Sequence, residues 1–156
     1  MKEKICFFIG HRDVSAEIYP KIAEEVEHLI LEHNVKRFYV GHYGTFDSMA
    51  AKAVKEAKKQ YSNVKLTMLL PYHPAIRPIE IPPGFDDSYF PEGQERVPPR
   101  VAILCANQHM VCRADYLICF VDHPSGGSRE ILDMALKRQE SNCIRVINLS
   151  GWYPES

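Results

Sequence analysis

The sequence predicts an α/β fold, a doubly wound, mostly parallel sheet of about five strands with helices on both faces. Three observations predict it: short apolar runs alternate with amphipathic segments, glycines or prolines close most of the runs, and nearly every run is apolar on both alternating positions. A half-solvated antiparallel strand would instead alternate apolar with polar residues.

Lys4 to Ile9 (K-I-C-F-F-I) reads as the first strand and stops at Gly10. Ile18, Ile22, Val26, Leu29 and Ile30 then recur at helical spacing with Lys21, Glu24, Glu25 and Glu27 between them, which predicts an amphipathic helix. Its start lies between Ser15 and Pro20, because proline is tolerated only in the first turn, and Asn34 supplies the exit. Arg37 to Val40 is a second strand ending at Gly41, and Met49, Ala50, Ala53, Val54 and Ala57 mark a second helix. Val64 to Leu70 is a third strand, closed by Pro71. Between Pro71 and Pro99 lie eight of the 11 prolines with no periodicity, so this stretch is expected to be a long loop insertion, a lid or a binding loop. Val101 to Arg113 reads as a helix, Asp115 to Val121 as a fourth strand, the segment around Ile131, Leu132, Ala135 and Leu136 as a helix, and Ile144 to Leu149 as the last strand.

The 156 residues fit a single domain spanning 1–156, and 46% hydrophobic with 25% charged residues excludes a disordered or fibrous chain. A formal charge of −1 gives no bulk field for nonspecific nucleic-acid binding, so nucleic acid is an unexpected partner. No apolar run reaches the roughly 18 residues of a membrane span, and five cysteines without C-x-x-C suggest reduced, mostly buried thiols. A cytoplasmic protein with no membrane partner is the expectation.

In an open parallel sheet, ligands bind beyond the carboxyl ends of the strands. Three strand ends here carry unusual residues: Gly10-His11-Arg12-Asp13, Gly41-His42-Tyr43-Gly44-Thr45-Phe46-Asp47, and Asp122-His123-Pro124-Ser125-Gly126-Gly127-Ser128. Gly126 and Gly127 before a helix allow N–H groups to face an anion, with Ser125 and Ser128 as hydroxyl donors; the same residues also make an ordinary capped turn. Gly41, Gly44 and Thr45 precede Asp47, which either complements the helix dipole or accepts from ribose hydroxyls. His11 and Arg12 suit a phosphate or a reacting polar group. Neither G-x-x-x-x-G-K nor G-x-G-x-x-G occurs, which disfavours a standard kinase, ATPase or dehydrogenase. Cys105, His109 and Cys112 share one helix face but span two turns, poorly placed for one tetrahedral ion, and no metal site is predicted.

Taken in order, these segments resemble the SLOG superfamily, the Smf/DprA and LOG-related Rossmann-like domains, and most its YpsA-like branch. The carrying residues are Phe8-Ile9-Gly10-His11-Arg12, Gly41-x-x-Gly44-x-Phe46-Asp47 with Ala50 and Ala51, Pro71-Tyr72, Asn107-x-x-Met110-Val111, Ala114-Asp115-Tyr116-Leu117-Ile118 and Gly126-Gly127-Ser128. The resemblance implies a Rossmann-like fold, a nucleotide or nucleotide-derived ligand in a glycine-lined pocket, and a homo-oligomer. It adds Tyr72 and Asn107 to the expected ligand contacts. LOG-like members release a base from a nucleoside monophosphate with the glutamate of a P-G-G-x-G-T-x-x-E loop; the corresponding Glu130 does not fall on that position. Where the YpsA-like branch implies an arginine before the asparagine, this chain has Ala106, leaving Arg100, Arg113 or Arg129 as substitutes. Three readings stand: a binding or sensing module, an N-glycosidic hydrolase with Glu130 or Asp47 as the acid-base group, and a partner-binding module without a small ligand.

Overall fold

A computed structural model of the chain describes residues 3–123 and 126–152. Its strands are β1 (Lys4–Gly10), β2 (Val35–Val40), β3 (Lys65–Leu69), β4 (Asp87–Tyr89), β5 (Tyr116–Phe120) and β6 (Arg145–Asn148). Its helices are α1 (Tyr19–His33), α2 (Thr45–Lys58), α3 (Ala102–Arg113) and α4 (Gly127–Glu140). The strand order is β4-β3-β2-β1-β5-β6, and all five neighbouring pairs are parallel. The predicted α/β fold is the observed one, with six strands rather than five.

The sixth strand, β4, lies inside the proline-rich stretch that was expected to be loop. Its three residues, Asp-Ser-Tyr, are exposed or half-buried, so no apolar run announces it. Polar partners hold it instead: Arg37 reaches Asp87 at 3.0 Å, Lys58 reaches Asp86 at 2.6 Å, and the Leu70 N–H donates to the Tyr89 carbonyl at 2.8 Å. Charged, short edge strands of this kind also resist pairing with other chains.

Strand β1 shows why the core has two halves. Cys6 and Phe8 face α1 and α2 in one apolar cluster, whereas Ile5, Phe7 and Ile9 face α3 and α4 in the other. Each fully buried phenylalanine contributes about 2 kcal/mol of apolar burial. Helix α1 buries Ile22, Val26 and Leu29, enters through a short 3-10 turn whose Ser15 hydroxyl accepts from the Glu17 N–H, and ends at Asn34 in a left-handed conformation. Of the five free cysteines only Cys6 and Cys119 are buried; Cys105 is half-buried and Cys112 and Cys143 are exposed, which corrects the expectation of mostly buried thiols. Among the described residues, no helix is long and apolar enough to cross a membrane.

The long segment is fastened from beneath. Gln94 is buried, and its side-chain amide donates to the carbonyls of Pro71 at 3.1 Å and Ala102 at 2.7 Å. Gln94→Leu strands the Pro71 carbonyl and removes the second donor from the Ala102 carbonyl, which also accepts within α3. Chemical denaturation is expected to show a loss of about 2 kcal/mol, and limited proteolysis to cut first within residues 71–99.

Candidate functional site

The chain runs outward from β1 through β2 and β3 to β4, then returns to place β5 on the other side of β1. The strand order reverses there, so the loops after β1 and β5 part and leave a crevice at their carboxyl ends. A cavity of about 460 Å³ occupies it.

At the end of β1, Gly10 leaves room for Phe46; a Cβ at position 10 would meet three atoms of that buried side chain well inside contact distance. His11 Nε2 accepts the Asp122 N–H at 3.0 Å, and its ring stacks on His123 with centroids 3.6 Å apart. Burial, then the neighbouring His123, lower the pKa of His11 against the opposing pull of Asp122. His11 is therefore neutral near pH 7, with its proton on Nδ1. The donor atoms of His11, Asp122 and His123 lie within 4.8 Å of one another. They do not form a metal centre in this arrangement: the Nε2 lone pair already accepts an N–H, and two nearly parallel rings direct their in-plane lone pairs side by side.

The β2 loop is clamped to the β1 loop. The Thr45 N–H donates to the Arg12 carbonyl at 2.8 Å, and the Thr45 hydroxyl accepts the Val14 N–H at 2.7 Å. This geometry starts α2 so that Asp47, in its first turn, faces the cavity and accepts the Tyr43 N–H at 3.0 Å. Burial pushes the Asp47 carboxyl up to about 6, the single Tyr43 hydrogen bond being too little to offset it.

Opposite Asp47, α4 begins behind Gly126, whose φ of 97° suits glycine and whose lack of a side chain leaves the helix uncapped. First-turn N–H groups have no intrahelical acceptor and carry the positive end of the helix dipole. The Ser128 hydroxyl donates to the Gly10 carbonyl at 3.0 Å, tying this helix start to β1. One face of α3 and the turn before it, with Arg100, Ile103, Leu104 and Asn107, completes the wall.

Gly10, His11, Arg12, Gly41, Asp47, Asn107, Gly126, Gly127 and Ser128, all expected contacts, line the one cavity. Gly44 and Thr45 stand behind it as the clamp just described. Tyr72 lines a smaller neighbouring cavity, and Ser125 lies outside the described residues. Glu130 is exposed on α4 and is not part of the lining, so Asp47 is the lining's only carboxylate among the described residues. Of the three substitute arginines, only Arg100 reaches the cavity. Arg113 packs over the rings of Tyr39 and Tyr89, and Arg129 pairs with Asp133 at 2.8 Å. Neither Arg12 nor Arg100 has a side-chain partner among the described residues, so two free guanidinium groups and a helix N-terminus surround the space. Sequence reasoning did not place Tyr43, Ile103, Leu104 or His123 in the lining; the i, i+3, i+4, i+7 spacing of Arg100, Ile103, Leu104 and Asn107 was the available signal. His109, from the trio considered for zinc, is 2.7 Å from the Tyr89 hydroxyl.

No protein-family model and no curated protein match the sequence. Solved structures do match the fold. The molybdenum cofactor binding protein from Rippkaea orientalis is 15% identical with a TM-score of 0.59, over 94% of this chain and 90% of that one. The molybdenum cofactor carrier protein from Chlamydomonas reinhardtii is 16% identical with a TM-score of 0.55, over 96% and 93%. DNA processing protein A from Streptococcus pneumoniae is 15% identical with a TM-score of 0.60, over 92% of this chain and 49% of that one. At these identities the likeness is one of fold.

Proposed function

We propose that the protein binds or senses a nucleotide or nucleotide-derived small molecule in the cavity at the strand ends. The observation that carries this reading is the pairing of two guanidinium groups that have no side-chain partner among the described residues, Arg12 and Arg100, with the uncapped start of α4 around one space that holds a single carboxylate among those residues. An anionic group satisfies the first set, and ligand hydroxyls satisfy Asp47. His11, locked by the Asp122 N–H, offers its Nδ1 proton. Two structures of the same fold belong to proteins that bind or carry a small cofactor, which agrees with a ligand-holding role. The family resemblance adds a homo-oligomer, which light scattering tests.

A second reading has one specific observation in its favour. A carboxyl raised to about 6 is still about one-tenth protonated at pH 7, close enough to neutrality to exchange a proton in general acid-base chemistry, so Asp47 is the candidate acid for N-glycosidic cleavage. One experiment serves both: thermal unfolding against nucleoside phosphates, nucleotide sugars, the molybdenum cofactor and a single-stranded oligonucleotide, with each mixture then analysed for released base. A raised midpoint without released base supports the binding module, and released base moves the assignment to a hydrolase. A shift with the oligonucleotide alone turns it toward nucleic acid, and no shift leaves the partner-binding reading.

Asp47 also sets a pH dependence. Ligand hydroxyls bond best to the ionised carboxylate, so affinity is expected to rise between pH 5 and 7 in the wild type. Phosphate ionisation contributes over the same range, and Asp47→Asn retains only that part; the difference between the two calorimetric pH profiles isolates Asp47. For the unliganded fold the sign is opposite. The folded carboxyl binds its proton before the unfolded one does, whose pKa is near 3.8. Stability relative to Asp47→Asn therefore falls as pH rises from about 4 to about 7, by at most about 3 kcal/mol and less where solvent reaches the side chain.

A further inference from the structure

The main cavity changes character with depth, and α3 carries the gradient. The helix leads into β5, which runs parallel to its neighbours, so α3 starts at the carboxyl ends of the strands and descends toward their amino ends. Arg100, in the turn before α3, therefore stands at the mouth, as does the start of α4. Asn107 lies on the order of 10 Å deeper along the same face. Around it the wall is aliphatic: Ile103 and Leu104 on α3, Ile9 on β1 and Leu69 on β3. The two lining arginines, Arg12 and Arg100, belong to the loop after β1 and the turn before α3, and no cationic side chain lines the inner end among the described residues.

Asn107 is the one polar side chain that α3 itself adds to this wall, and it is unspent. Its carboxamide makes no hydrogen bond to any described residue. It is also reachable: the side-chain atoms that are both sealed from solvent and without a partner among the described residues are His42 Nδ1 and Arg138 Nε, and the Asn107 oxygen and nitrogen are not among them. A carboxamide offers one acceptor and two N–H donors in a single plane, which matches an adjacent donor and acceptor on the edge of a nitrogen heterocycle. Aliphatic side chains suit the faces of such a ring. Other occupants fit less well. A second anionic group would meet no cation at this depth, a hydrocarbon tail would leave the amide unpaired, and a sugar would set its hydroxyls against Ile103, Leu104 and Leu69.

We propose that the inner end of the cavity seats a planar nitrogen heterocycle of the ligand, with the Asn107 carboxamide hydrogen-bonded to its edge, making Asn107 a specificity-determining residue. This deepens the ligand reading of the cavity and rests on it. The order along the site becomes an anionic group between the two arginines and the start of α4, hydroxyls at Asp47, and the heterocycle between α3 and the sheet.

The test is calorimetric titration with the four common ribonucleoside 5′-monophosphates and with ribose 5-phosphate. The tightest nucleotide is expected to bind the wild type about tenfold or more tightly than both the weakest nucleotide and ribose 5-phosphate. Asn107→Leu, which keeps the size and removes the amide, is expected to bring the four nucleotides to within about threefold of one another while ribose 5-phosphate changes by less than about twofold. Asn107→Ala gives the same levelling and serves if the leucine variant fails to fold. A ranking of nucleotides that survives in a folded variant overturns the proposal, as does a variant that weakens ribose 5-phosphate and nucleotides equally. A wild type that binds ribose 5-phosphate as tightly as every nucleotide also overturns it while leaving the anion site in place. If no compound of either class binds the wild type, the ligand reading of the cavity fails first and this proposal with it.

Discussion

Gly44→Ala is expected to lower the stability of the protein by about 3 kcal/mol or more, read as a shift in the denaturation midpoint, and to abolish ligand binding in whatever fraction remains folded. A Cβ at position 44 would stand 2.8 Å from both the Cα and the carbonyl oxygen of Arg12, and its φ of 154° lies where side chains are rarely found. The colliding atoms are backbone, so no rotamer change relieves the contact. The β1 and β2 loops must separate, which breaks the Thr45 N–H bond to Arg12 and the Thr45 hydroxyl bond to Val14. Arg12 and Asp47 are both positioned by that clamp. Equal stability in the alanine variant and the wild type would show that the loops are not held against each other as described.

Gly127→Val is expected to do the reverse, weakening binding of an anionic ligand by about a hundredfold while moving stability by no more than about 0.5 kcal/mol. A Cβ at position 127 meets nothing within 4 Å, and the residue begins α4 without a positive φ, so the fold has room for a side chain. That room is the space in front of the first-turn N–H groups. An isopropyl group there covers the donors and excludes an anion. The neighbouring Gly126 is a poorer probe, because its φ of 97° would add backbone strain to any substitution. Calorimetry of the folded variant reads the binding loss directly; undiminished affinity would place the anion elsewhere.

Much of the fold was legible because its strands and helices bury apolar residues at regular spacing. The run K-I-C-F-F-I became β1, and Ile22, Val26 and Leu29 became the buried face of α1 between the proline and asparagine signals that bound it. Strand β4 was not legible, since its three residues make no apolar run and the ion pairs that anchor it, Arg37 to Asp87 and Lys58 to the preceding Asp86, join residues distant in sequence and carry no local pattern. At the site, the rule that ligands lie beyond strand ends led to Gly10, Gly41, Asp47 and Gly126 without structural knowledge. It did not separate lining from scaffold. Thr45 sits between two lining residues in sequence yet spends both its N–H and its hydroxyl on the β1 loop. Arg100, Arg113 and Arg129 look alike in sequence, and only helix phase and the aromatic and acidic neighbours of the last two assign the cavity to Arg100. His42 was visible only as part of the segment after β2, because a nitrogen left without a partner among the described residues is a result of packing.

The most direct test of the central claim is calorimetric titration of nucleoside 5′-monophosphates and their unphosphorylated nucleosides into the wild type and into Arg12→Gln/Arg100→Gln. The account predicts that at least one phosphorylated member binds the wild type about tenfold or more tightly than its nucleoside, that this advantage shrinks with added salt, and that the double variant loses it while folding normally. A phosphate advantage that persists undiminished in the double variant, or a wild type that binds nucleoside and nucleotide equally, would contradict an anion site formed by these arginines and the start of α4.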